Sequence, residues 1–369
     1  MKSFEIRDIP VATKADNPLE PDQFPDTPHP ARQTILVGHE QAEAEILEAV
    51  QQKRLHHAWL IGGVEGIGKA TFAYRVARFI LDNAPEELAH AVSLDVPQET
   101  KTFRQIEAFS HPNLCVLRRT LSADNKISSV ISVDAVRKAL RLFTTTSVAG
   151  RYRVCIIDTA EDLNNSSANA LLKLIEEPPP NSLFLIVSHA PQRLLPTIRS
   201  RCRKLHLRPL HDDHIRRIIT HFEGKWKSVS QENLDWAIHS GEGSVRRTLK
   251  MLNEENMILM QKVEKMLSQL PSKNDRIVVS LAETLSQKGN EEIFSLFIDY
   301  LQNWSSHLIA QNIGETKQSS SSENIAVRFV PLIQSVEQII KSIREAEIYN
   351  LDKRPLVIRL FDDLSRSLK

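Results

Sequence analysis

Cysteine is scarce in this chain. Three occur among 369 residues, at Cys115, Cys155 and Cys202, widely spaced and odd in number. That excludes a disulfide framework and a Cys-based zinc site, and it fits a reducing cytoplasm. No apolar run approaches the roughly 18 residues of a membrane span, so none is expected. The opening Met1-Lys-Ser-Phe-Glu-Ile-Arg-Asp has no apolar stretch of the secretory kind, and no signal peptide is expected. An excess of one charge is also missing. Formal net charge is +1, so bulk charge does not announce a nucleic-acid binder, although a local basic patch stays open. Glycine is sparse too, with 11 in the chain, which makes the cluster Gly63, Gly66 and Gly68 stand out.

Hydrophobic content of 41% and charged content of 25% are those of a soluble globular protein. The length allows two or three domains. Residues 1–33 carry Pro10, Pro18, Pro21, Pro25, Pro28 and Pro30 and predict an extended or disordered arm. From 34 to 208 short apolar runs alternate with helical periodicity. Strand candidates are His57–Ile61, Leu114–Leu117, Tyr152–Asp158, Leu183–Val187 and Lys204–Leu207; helix candidates are Glu40–Gln52, Thr71–Leu81, Val133–Phe143 and Ser166–Glu177. This alternation predicts an α/β domain, a parallel sheet with helices on both faces. Residues 82–110 are polar and weakly periodic, an insertion. Beyond 208 the pattern turns helical: a small domain over 209–270 (Asp212–Phe222, Gln231–Ser240, Ser244–Asn256) and an all-helical one over 271–369. The latter is interrupted by the polar stretch Gly314–Asn324, with Ser319–Ser322 reading as a loop.

The glycine cluster sits between a strand and a helix. Gly63-Val-Glu-Gly66-Ile-Gly68-Lys69 has the spacing of a phosphate loop: backbone N–H groups point at phosphate oxygens and the lysine neutralises them. The next position is Ala70, where a Ser or Thr hydroxyl would hold Mg²⁺. Thr71 follows about 100° further round the helix and does not replace it. Val154-Cys-Ile-Ile-Asp158 reads as the acidic strand of such a site, with Asp158 reaching Mg²⁺ through water or merely capping its turn. Thr159 follows, where a hydrolytic site places Glu; Glu161 and Asp162 have the wrong spacing. Hydrolysis by this chain alone is not expected. Ser200-Arg201-Cys202 offers an arginine that either serves a phosphoryl-transfer site in trans or belongs to a plain basic strip with Arg199, Arg203 and Lys204.

Ser167-Ala-Asn-Ala-Leu-Leu-Lys-Leu-Ile-Glu-Glu-Pro178 and Thr197-Ile-Arg-Ser-Arg-Cys202, in this order after the loop and the acidic strand, resemble the signatures of bacterial AAA+ clamp-loader subunits. Leu36-Val-Gly-His39, Leu55-His-His-Ala-Trp59 and Tyr349–Pro355 are similar as well. The resemblance covers residues 34–250 well and the rest loosely. Within the family, a lost metal position with a retained Ser-Arg-Cys is most similar to the delta-prime branch of DNA polymerase III.

The resemblance implies an AAA+ domain, a helical lid (209–270) and a C-terminal collar (271–369). It implies a stator in a five-part ring that loads a sliding clamp on primed DNA. Arg201 would reach the ATP of an adjacent tau or gamma subunit, with a delta subunit on the other side. Gly63, Gly66, Gly68, Lys69 and Asp158 would hold nucleotide, with Ser188 as sensor and Arg246 as second sensor. It leaves room for ATP or ADP without efficient hydrolysis, and for no required cofactor. Many relatives carry four zinc-binding cysteines after the first helix. Residues 82–114 contain no cysteine, and His90 and His111 alone cannot complete a tetrahedral site, so no zinc is expected and this segment should fold differently or be loose. An active tau- or gamma-type motor and a pure scaffold with an idle Arg201 remain the alternatives.

Overall fold

A computed structural model describes residues 23–120, 127–144, 150–315 and 351–368, with scattered positions between 334 and 346. Most of the proline-rich arm, the Ser319–Ser322 stretch and Tyr349 lie outside these residues. The chain divides into two compact units, one of residues 1–228 with 243–245 and one of 229–242 with 246–369.

The first unit is built on a five-stranded sheet in the order β2-β3-β4-β1-β5. The strands are β1 (Ala58–Gly62), β2 (Leu114–Arg118), β3 (Arg153–Asp158), β4 (Ser182–Ser188) and β5 (Arg203–His206). Every pairing is parallel. Strands β1, β3 and β4 are buried along their whole length, which explains their unbroken apolar runs. Alternate side chains serve opposite faces. Trp59, Ile61, Val154, Ile156, Leu183 and Leu185 pack into one core with Ile46 of α1 (Glu40–Gln51) and Phe72, Val76 and Ile80 of α2 (Lys69–Asp82). Leu60, Cys155, Ile157, Phe184 and Ile186 pack into the other. There they meet Val136 of α5 (Val133–Thr144) and Leu171 and Ile175 of α6 (Asn165–Glu176). The α/β reading with helices on both faces is what the structure has.

The insertion is more ordered than its weak periodicity implies. It forms α3 (Pro85–Leu88) and α4 (Lys101–Glu107), and Leu88, Leu94 and Ile106 join the core. Thr100 caps α4 by accepting from the N–H of Phe103 at 3.1 Å. The end of the proline-rich arm is packed rather than loose, which corrects the expectation for residues 23–33. His29 and Ala31 are fully buried, and the Arg78 guanidinium donates to the carbonyls of Ala31 (3.0 Å) and Gln33 (2.9 Å). A proline-rich composition predicts an extended chain; here α2 supplies the donors that hold it.

Residues 209–228, read from sequence with the following helices, belong to the first unit. Helix α8 (Asp212–Thr220) and the turn after it are tied in by Trp226, whose indole N–H donates to the Asp26 carbonyl at 2.8 Å.

The second unit is helical: α9 (Gln231–Gly241), α10 (Val245–Met251, of which Arg246 onward belongs here), α11 (Glu254–Ser268), α12 (Asp275–Leu285), α13 (Glu291–Glu315) and a last helix, Arg354–Ser367. Their inward faces form one core that includes Met260, Leu281, Phe294, Phe297, Leu360 and Phe361. The span read as one helix, Ser244–Asn256, is two. Asn253 accepts from the N–H groups of Glu255 and Asn256, an N-cap that restarts the helix.

Candidate functional site: a phosphate loop with its own carboxylate

The carboxyl ends of β1, β3 and β4 lie side by side in the sheet. Parallel α/β sheets bind ligands at such edges. From β1 the chain enters the loop Gly63–Gly68, and α2 begins at Lys69. The loop needs its glycines for geometric reasons. At Gly63 φ is +148°, and a Cβ there would stand 2.5 Å from the Leu207 carbonyl oxygen. Gly68 caps α2 at φ +97°, a conformation that L side chains resist. Gly66 lies between them, also at positive φ.

Three contacts hold the loop. The Ser244 hydroxyl donates to the Glu65 carbonyl at 2.7 Å. His39, almost fully buried, meets the Ile67 carbonyl through Nε2 at 2.6 Å. A carbonyl only accepts, so Nε2 carries the proton; burial keeps this imidazole below its ordinary pKa. The Lys69 amine turns back into the loop, donating to the carbonyls of Gly63 at 2.8 Å and Val64 at 2.5 Å. Lys69 is 3% exposed. Burial lowers its pKa to about 8, against the opposing pull of Glu65, Asp158 and Glu161.

Asp158 ends β3 and is buried. Thr159, next in the chain, contributes a hydroxyl 3.4 Å from an Asp158 carboxylate oxygen. Ser188 ends β4 and is fully buried. Its hydroxyl donates to Glu161 Oε1 at 2.6 Å, and the N–H of Ala190 donates to the same oxygen at 2.5 Å. Spacing had set Glu161 aside. The turn Ala160–Asp162 after β3 carries it back across the end of β4, next to the expected sensor. Only the pairing of β3 with β4 reveals this. Asp162 faces elsewhere and pairs with Arg119 at 3.1 Å. Position 70, on the first turn of α2, presents a methyl group.

The structure thus brings Gly63, Gly66, Gly68, Lys69, Asp158 and Ser188 to one edge of the sheet. Arg201 ends α7 (Pro196–Arg201), where its guanidinium pairs with Glu176 at 2.9 Å. Cys202 beside it is a packing residue, its thiol pushed up to about 12 by burial. Arg246 belongs to the second unit, on α10. Besides Glu161, reading the sequence missed Ser244 and His39 as loop supports. His39 is the last residue of the quoted motif Leu36-Val-Gly-His39, whereas Ser244 lies 179 positions from its acceptor and carries no local signal. Among the described residues no group of three or more His, Cys, Asp or Glu is arranged to hold a metal ion. None of their helices is long and apolar enough to cross a membrane.

Residues 38–211 match the protein-family model described as "DNA polymerase III, delta subunit". The chain is similar to DNA polymerase III subunit tau/gamma of Haemophilus influenzae, 28% identical over 70% of this chain and 36% of that one. It is similar to subunit delta' of Pseudomonas aeruginosa, 36% identical over 40% of this chain and 41% of that one. It is also similar to subunit delta' of Escherichia coli, 29% identical over 58% of this chain and 59% of that one. The matches therefore span about one third to three fifths of these relatives.

Proposed function

We propose that this chain, which over residues 38–211 belongs to the DNA polymerase III delta-prime/gamma-tau clamp-loader family, is a delta-prime-type stator. It would stand in a ring with tau or gamma ATPase subunits and a delta subunit. The ring would place a sliding clamp on primed DNA, touching the DNA through phosphates and independently of sequence. Residues 209–270 would act as lid and 271–369 as collar. Gly63, Gly66, Gly68 and Lys69 would cradle the phosphates of ATP or ADP, with Asp158 and Ser188 at its margins, and Arg246 would serve as the second sensor. Arg201 would serve a neighbour's ATP.

One observation carries the reading. The residue after the loop lysine is Ala70, so the hydroxyl that holds Mg²⁺ in such loops is missing. The remaining residues fit phosphate and do not fit a Mg²⁺-dependent hydrolytic centre. Glu161, the carboxylate nearest to a catalytic role, already accepts from Ser188 and Ala190. A motor reading has its own support, since the match to a tau/gamma subunit covers more of the chain than the match to Pseudomonas aeruginosa delta'. Ala70 and Thr159 weigh against it.

The test is the clamp- and DNA-stimulated ATPase of a ring rebuilt from this chain with its cognate tau or gamma and delta subunits. The isolated chain should be inert. Arg201→Ala in the ring should remove the turnover of the one site it serves, since loss of a trans arginine slows such a site by about 10³-fold. Rapid hydrolysis by the isolated chain would establish the motor reading instead, and an unimpaired Arg201→Ala ring the scaffold.

A further inference from the structure

Helix α6 ends in two acids, Glu176 and Glu177, just before Pro178. The C-terminal end of a helix carries partial negative charge, so carboxylates there are locally unfavourable. Breaches of a local rule point to a tertiary partner or to function. Glu176 has such a partner. Its Oε1 lies 2.9 Å from Nη2 of Arg201, and Nη1 of the same guanidinium donates to the Thr197 carbonyl at 3.1 Å. Arg201 thereby closes the last turn of α7 and neutralises the acidic end of α6 at once.

The arrangement is oriented but weakly held. The side chains of Arg201 and Glu176 are 41% and 39% exposed. Ion pairs this open to water shift an equilibrium by only about 1.5- to 5-fold. A triphosphate brings more negative charge than one carboxylate and can take an arginine through two parallel charge-assisted hydrogen bonds. Polyphosphate presented at this surface would therefore compete with Glu176 for the guanidinium.

Resting on the reading of Arg201 as a trans-acting arginine, we infer that Glu176 parks Arg201 in the free chain and yields it to a nucleoside triphosphate held by a neighbouring subunit. Glu176 is on this account a positioning residue. It biases the arginine against engaging the neighbour's nucleotide, and it lowers the unstimulated rate of the ring by that modest factor.

The experiment measures ATPase of the rebuilt ring without clamp or DNA, over a range of KCl. It compares wild type, Glu176→Gln, Glu176→Ala, Arg201→Ala and the double variant Glu176→Gln/Arg201→Ala. Glu176→Gln is isosteric, and Glu176→Ala checks that any effect follows from the lost charge. Both should raise the unstimulated rate by about 1.5- to 5-fold, the range of the exposed pair. The gain should shrink as salt screens the pair in wild type. In the Arg201→Ala ring, Glu176→Gln should change nothing. If Arg201→Ala is impaired but neither Glu176 variant exceeds wild type, parking is wrong and the trans arginine stands. A Glu176→Gln gain that persists without Arg201 also overturns parking. If Arg201→Ala matches wild type, the trans-arginine reading fails and parking fails with it.

Discussion

Removing the titratable amine of Lys69 should change how stability depends on pH. In the folded chain Lys69 is 3% exposed and its amine donates to the carbonyls of Gly63 and Val64. Burial brings its pKa to about 8, against about 10.4 for a free lysine. Below about pH 8 both states are protonated, and the folded state bears the full cost of the buried charge. Between about pH 8 and 10.4 the unfolded chain binds more protons, so stability rises with pH across that window and then levels. A shift of this size corresponds to about 3 kcal/mol. Lys69→Met keeps the apolar stem and loses the titration. Urea denaturation should be followed by fluorescence, since Trp59 lies fully buried in β1. Wild-type stability minus that of the variant should climb by about 3 kcal/mol between neutral pH and about pH 10.5. Saturating pyrophosphate should flatten the climb, because an anion in the loop restores the amine's charge. Parallel curves without the anion would refute the argument that burial dominates at Lys69.

Three further outcomes follow from the geometry. Gly63→Ala drives a Cβ to 2.5 Å from the Leu207 carbonyl oxygen at φ +148°; thermal denaturation should show a loss of roughly 2–4 kcal/mol. Gly150→Ala, with nothing within 4 Å of the new Cβ at φ +70°, should cost only about 1 kcal/mol. Ser188→Ala removes one of the two donors to Glu161 Oε1 and should cost about 1.5–3 kcal/mol, as hydrogen bonds to charged groups do; Ser200→Ala, at an exposed site, should stay within about 0.5 kcal/mol, and equal losses would argue against the Ser188–Glu161 bond. Under a thiol reagent at neutral pH, Cys115 should react first, because its register partner Cys155 on β3 favours the Cys115 thiolate. The neighbouring Cys115, and then burial, raise Cys155 well above the ordinary thiol value, and burial pushes Cys202 up to about 12. Both should wait for unfolding, and Cys115→Ser should abolish the fast phase.

Much of the α/β unit was legible from local pattern. Continuous apolar runs marked β1, β3 and β4 because both faces of these strands are covered. The expected helix over Ser166–Glu177 appears as Asn165–Glu176, capped by Asn164, which accepts from the Ser167 N–H at 2.9 Å. The break after Met251 was within reach, since Asn253 carries an ordinary cap signal that a single apolar periodicity overran. The insertion and the arm were not legible. Their order comes from distant partners: Arg78 on α2 for the arm, and the apolar core for Leu88, Leu94 and Ile106.

The sequence by itself determined the phosphate loop, because glycines at such spacing leave the backbone free to turn where a side chain would collide. It also determined the missing hydroxyl at Ala70 and the two signatures on which the resemblance to clamp-loader subunits rests. Only the tertiary structure decided which carboxylate lies at the loop's edge. Glu161 is three positions from Asp158 along the chain, yet it reaches Ser188 because parallel pairing sets the ends of β3 and β4 side by side. The same holds for Arg201. Its residue type is plain in the sequence, but its grip on Glu176 depends on two helix ends being packed together, and charges act through space rather than along the chain.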